Sequence, residues 1–196
     1  MNKTLELFFD FGSPASFLAH TQLPKLIAET GATLLLRPIL LGGVFKATGN
    51  SAPITVPAKG RWLMGDLQRW AQRYGVVFKM NPAFPINTLT LMRLATGLQL
   101  RRPEQLTAYC DAVFAALWQQ QRNLSDPAVL AVTLTAAGLD AEACLALAGD
   151  VEVKAALAAS TEAAVARGVF GAPTFFVGEA MFFGQDRLDF VREALA

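Results

Sequence analysis

Two cysteines and one histidine are all that the 196 residues offer of the side chains most used for metal binding and thiol chemistry. Cys110 and Cys144 stand alone and no Cys-x-x-Cys occurs, which excludes a dithiol redox motif and a zinc knuckle. His20 by itself cannot build a multi-histidine metal site, so no metal is expected. A serine-hydrolase triad would have to use it, and no Gly-x-Ser-x-Gly elbow is present. Both thiols and the imidazole read as helix-borne core groups. Charge is balanced as well, at 17 basic against 16 acidic residues. That removes the electrostatic argument for nucleic acid. A chain 53% hydrophobic and 17% charged can bury enough surface to escape disorder. Its longest apolar stretch, Leu34 to Phe45, is cut by Arg37 and Pro38 and falls short of the ~20 residues that span a bilayer. Near the N-terminus, Glu6 interrupts the run a signal peptide would need. The expectation is a soluble, cytoplasmic protein with no membrane partner.

What is present orders itself into three stretches. Thr4 to Asp10 alternates and then runs apolar, as a buried strand does. Phe11-Gly12-Ser13-Pro14 is a turn with a strong N-cap and a proline suited to the first helical position. A helix is predicted from Pro14 to about Glu29, ended by Gly31, and a second strand over Ala32 to Arg37 completes a βαβ unit. Pro38 to Ala58 reads as a long irregular loop, which in a compact domain is usually functional. Lys59 to about Gly149 is helical in pattern, with starts near Lys59, Asn87, Pro103, Asp126 and Ala141. The chain then returns to mixed structure. A helix over Asp150 to Arg167 leads to strands at Thr174 to Val177 and Met181 to Phe183 around a Gly178-Glu179 turn. A closing helix, Arg187 to Leu195, is expected to be capped by Asp186. The outline, βαβ, a helical block and αββα, is an α/β arrangement that resembles a thioredoxin-like fold with a large all-helical insertion. Its parts would be 1–58 with 150–196, and 59–149.

Three places carry chemistry. Ser13 sits where helix N–H groups and the positive end of the helix dipole converge, a setting that favours an anion such as a thiolate. No cysteine is there, so Ser13 either caps its helix or donates a hydrogen bond to a sulfur brought by a ligand. Pro173 is either an ordinary strand-leading proline or, in a thioredoxin-like arrangement, the cis-proline beside that helix. The backbone of Ala172 would then pair with an extended peptide-like ligand. Gln185 and Asp186 either begin the last helix or face the charged end of a small peptide. Lys46, Asn50 and Asn87 are polar groups in apolar surroundings; Lys46 could take a carboxylate, and the asparagines could equally serve turn backbone.

The residues also match a family pattern along the whole chain. Phe9-Asp10-Phe11-Gly12-Ser13-Pro14-Ala15-Ser16 is followed by Arg37-Pro38 and by Leu41-Gly42-Gly43-Val44-Phe45-Lys46-Ala47-Thr48-Gly49-Asn50. Asp66-Leu67-Gln68-Arg69-Trp70 and Phe84-Pro85-Ile86-Asn87-Thr88 come next. Gly168 to Phe175 and Gly184-Gln185-Asp186-Arg187-Leu188 close the series. In these motifs the chain resembles the 2-hydroxychromene-2-carboxylate isomerases, relatives of kappa-class glutathione transferases within the DsbA-like branch of the thioredoxin superfamily.

The resemblance implies a glutathione-dependent isomerase of aromatic (naphthalene-type) catabolism, acting on a small aromatic carboxylate and forming a homodimer. It implies that Ser13 stabilises the glutathione thiolate, which adds reversibly to the unsaturated acid while the ring opens and the bond rotates, giving trans-o-hydroxybenzylidenepyruvate. By the same resemblance Ala172 pairs with the glutathione backbone, and Phe183, Gly184, Gln185 and Asp186 hold its γ-glutamyl end. Lys46, Asn50 and Asn87 would lie towards the substrate. The chain departs from the pattern at Ala15, where many relatives carry an aromatic, and at Phe45, where some isomerases carry their lysine. A kappa-type transferase would share the site and release the adduct, and a non-catalytic thioredoxin-like module is the reading from another class. A dithiol oxidoreductase is excluded, because Ser13 and Ser16 stand where its cysteines would be.

Overall fold

The computed structural model describes residues 3–196. Strand β1 (Thr4–Phe9) lies inside a four-stranded sheet of order β2-β1-β3-β4. Strand β2 (Thr33–Pro38) runs parallel to it, from the Thr4–Thr33 pair to the Phe9–Pro38 pair. Helix α1 (Pro14–Thr30) makes the crossover and ends at Gly31 in the left-handed conformation, φ 65°. Strand β3 (Thr174–Val177) is antiparallel to β1, and β4 (Ala180–Phe183) is antiparallel to β3. Gly178 opens their two-residue turn at φ 59°, a geometry that favours glycine.

Between the two halves run α2 (Leu41–Thr48), α3 (Pro57–Tyr74), α4 (Leu89–Arg101), α5 (Leu106–Trp118), α6 (Pro127–Ala136), α7 (Ala141–Leu147) and α8 (Val151–Ala166). Helix α9 (Leu188–Leu195) closes the chain. The larger of two hydrophobic clusters joins sheet and helices, from Leu5, Leu7 and Phe9 through Phe11 to Leu94, Phe114 and Trp118, and the smaller gathers Phe8, Ile39, Val44 and Phe176. Phe11 and Phe114 meet edge to face at 4.8 Å between ring centroids. The Trp118 indole N–H donates to the carbonyl of Phe11 at 2.9 Å, so α5 fixes the backbone just ahead of Ser13. No helix among the described residues is long and apolar enough to cross a membrane.

The structure corrects the sequence reading in five places. The stretch expected to be an irregular loop, 38–58, contains α2 and a 3-10 turn at Pro53–Thr55. Gly42 and Gly43 mask that helix, and its N-terminal cap comes from a distant residue, Asp10. The next helix begins at Pro57 rather than Lys59. The expected helix start at Asn87 moves to Leu89, and Pro103–Gln105 is a separate 3-10 turn ahead of α5. Asp186 does not cap the last helix: Gln185–Arg187 is a 3-10 turn, and no side chain caps α9.

Candidate active site

Ser13 is the N-cap of α1 and only 6% exposed. Its Oγ accepts the N–H of Ser16 at 3.1 Å and donates to the carbonyl of Ala172 at 2.8 Å. The hydroxyl therefore caps the helix, one of the two roles open to it, and also faces the second half of the fold. Pro14 follows, and the first turn of α1 carries no acidic residue of its own. The Ala172–Pro173 peptide is cis, and so is Phe84–Pro85.

A cleft of about 460 Å³ opens over Ser13. It gathers Ser13, Asn50, Ala172, Phe183, Gly184, Gln185 and Asp186, all singled out from the sequence. Its walls are apolar and aromatic, with Phe45, Trp62, Phe84, Phe170 and Phe183 along them. Phe170 and Phe183 pack at 4.6 Å between centroids, and the Phe183 ring occupies the space a side chain at Gly171 would need. Asn50 donates to the carbonyl of Phe170 at 2.9 Å and accepts from the N–H of Ser51 at 2.8 Å, bracing this wall.

Lys46 and Asn87 are not in the cleft. Once residues 41–48 form a helix, Leu41 and Phe45 share the face towards Ser13, while Gly43, Lys46 and Ala47 turn to the other side. Lys46 lines a separate groove of about 690 Å³ between α2, α4 and α8. That groove is larger, yet it contains neither Ser13 nor Ala172, so size does not make it the reacting centre. Asn87 accepts the N–H of Leu89 at 3.0 Å, the turn role.

Among residues that the sequence reading did not assign to the site, Lys59 lines the cleft, and Tyr74 and Asp10 support it from behind. Lys59, in the first turn of α3, is the one Lys or Arg among the cleft-lining residues. The proline at the start of α3 was the signal that could have placed it. Tyr74, at the far end of α3, donates its hydroxyl to the carbonyl of Gln185 at 2.7 Å. Burial, then Asp186 and Asp189, push its pKa up to about 12, so it stays a donor. Asp10 is buried behind the site, and burial raises its pKa. Its two carboxylate oxygens accept the N–H groups of Gly12 and Leu41, each at 2.8 Å.

The protein's own thiols lie elsewhere. Cys110 and Cys144 are unexposed in α5 and α7, neither lines the cleft, and burial raises both pKa values. His20 is also remote in role, paired with Asp111 at 2.6 Å. A thiolate beside Ser13 must therefore arrive with a ligand.

Residues 4–196 match the family model described as a DSBA-like thioredoxin domain. The chain is 33% identical over 197 residues to 2-hydroxychromene-2-carboxylate isomerase of Sphingobium xenophagum, covering 100% of this chain and 99% of that one. It is 29% identical over 205 residues to glutathione S-transferase kappa 1 of Homo sapiens, covering 98% and 91%. Among solved structures, 2-hydroxychromene-2-carboxylate isomerase superposes with a TM-score of 0.86 at 31% identity, over 98% of this chain and 94% of that one.

Proposed function

The chain belongs to the DSBA-like thioredoxin domain family, and on that premise we propose that it is a glutathione-dependent isomerase interconverting 2-hydroxychromene-2-carboxylate and trans-o-hydroxybenzylidenepyruvate. The observation that carries the reading is a buried serine hydroxyl at a helix N-terminus with no acidic residue in its first turn, in an aromatic-walled cleft that none of the protein's own thiols lines.

The donor set suits a γ-glutamyl tripeptide. Ala172 offers backbone N–H and C=O to an extended chain. The Asp186 carboxylate suits an ammonium group, and Lys59 with Asn50 suits a carboxylate. When bound, glutathione supplies the sulfur nucleophile whose reversible addition lets the ring open and the former double bond turn. Ser13 donates a hydrogen bond at the sulfur position, and the end of α1 favours negative charge there by about 0.3–1 kcal/mol, more where water is excluded. The Phe45, Phe84, Phe170 and Phe183 side chains hold an aromatic ring and keep water from the reacting atoms.

A kappa-type transferase is the second reading, supported by the human relative at 29% identity. It would use the same groups and release the adduct. The deciding experiment follows the ultraviolet spectrum of 2-hydroxychromene-2-carboxylate with purified protein, with and without reduced glutathione. Conversion that requires glutathione supports the isomerase. No conversion, with glutathione bound, moves the assignment to the transferase.

A further inference from the structure

The Ser13 hydroxyl has a single hydrogen, and here it is given to the carbonyl of Ala172 at 2.8 Å. A serine that stabilises a thiolate must turn that hydrogen to the sulfur instead. Turning it strips a carbonyl on a residue only 9% exposed of its donor, and a buried acceptor left unpaired is costly. The N–H of Ala172 has no acceptor among the described residues. Ala172 thus presents both halves of a strand-edge pair, the donor open and the acceptor occupied by a hydroxyl that can rotate away. A peptide lying along this edge brings its own N–H to the acceptor.

We infer that backbone pairing and thiol activation at this site are one exchange: the ligand's cysteinyl amide N–H takes over the Ala172 carbonyl, and this releases the Ser13 hydroxyl to the sulfur of the same residue. The inference rests on reading the cleft as a glutathione site. The carbonyl has two lone pairs and can hold two donors, but the hydroxyl cannot serve two acceptors with one hydrogen. The exchange therefore selects a chemical class. Cysteinyl peptides with a secondary amide are activated. A simple alkyl thiol reaching the same spot is not, because drawing the hydroxyl away leaves the carbonyl bare.

The test compares glutathione with its analogue methylated on the cysteine nitrogen, each at saturation, by titrating the ultraviolet absorbance of the bound thiolate. The expected result is a thiol pKa at least about one unit lower for bound glutathione, roughly a tenfold difference in thiolate at a pH below both values. Ser13→Ala should erase that difference. Equal pKa values in the unmutated protein overturn the exchange while leaving the glutathione reading standing. Failure of glutathione itself to bind removes both. If the analogue binds too weakly to saturate, a crystal structure of the glutathione complex decides. The ligand's cysteinyl N–H on the Ala172 oxygen, with the ligand sulfur within hydrogen-bond distance of Ser13 Oγ, bears the exchange out. A cysteinyl N–H that stays off that oxygen while the sulfur sits on Oγ overturns it.

Discussion

Asp10 accepts the backbone N–H of Leu41 at 2.8 Å, so the residue that follows strand β1 caps helix α2 from 31 positions away. Its other oxygen holds Gly12 at 2.8 Å, and the side chain of Thr88, which precedes α4, faces the same carboxylate. One buried group thereby sets the turn that carries Ser13 and the helix that brings Phe45 to the cleft.

Asn at position 10 can accept only one of these two N–H groups, because its amide nitrogen is a donor. Asp10→Asn is expected to cost about 1–3 kcal/mol and to reduce turnover, as read by denaturant unfolding and the spectral assay. The comparison also has a pH signature. Burial raises the pKa of Asp10, so the folded protein holds this proton more tightly than the unfolded chain does. Stability from this group therefore falls as pH rises from the ordinary carboxylate range through the folded value. The variant lacks that titration, and the gap between the two proteins should narrow across the same window.

The same carboxylate explains where sequence reading succeeds and where it stops. Ser13-Pro14 announces a helix because cap and first residue are adjacent, and Gly31 announces its end for the same local reason. Helix α2 has its cap in another strand and two glycines in its first turn, so nothing local marks it. Missing α2 hides which way Lys46 and Phe45 point, since an irregular loop fixes no side-chain direction, whereas a helix turns adjacent residues about 100° apart. The tail motif was legible as Gly184-Gln185-Asp186, yet its link to Tyr74 spans two distant segments that only packing brings together.

That link makes a second prediction. Tyr74 anchors the Gln185 carbonyl, which fixes the turn carrying Asp186. Tyr74→Phe removes one hydrogen bond worth about 0.5–1.5 kcal/mol. KM for glutathione should rise roughly two- to tenfold, with kcat much less affected. A fall in kcat at unchanged KM would place Tyr74 in the chemical step instead.

Gly184 holds φ 104°, and the Asp186 carboxylate occupies the space where its side chain would project. Gly184→Ala therefore meets backbone strain of about 1–3 kcal/mol and displaces Asp186. Glutathione affinity measured by calorimetry should fall by about tenfold or more. Gly42 supplies the control, being an exposed helical glycine with nothing near its missing side chain. Gly42→Ala should stabilise the protein by about 0.5–1 kcal/mol without moving that affinity.

Ser16, three residues after Ser13 in the first turn of α1, tests whether its own hydroxyl matters. It is fully buried, and its Oγ has no hydrogen-bond partner, whereas its backbone N–H holds Ser13 Oγ at 3.1 Å. Ser16→Ala keeps the backbone contact, removes an unpaired buried hydroxyl and raises helix propensity. Thermal unfolding should shift upward, by up to about 1 kcal/mol in stability, with turnover retained. Ser13→Ala loses a cap worth about 1 kcal/mol and the hydrogen bond to Ala172, so it should unfold earlier and turn over slowly. Opposite signs for two serines three residues apart would locate the chemistry in the side chain of Ser13 and leave Ser16 contributing only its backbone.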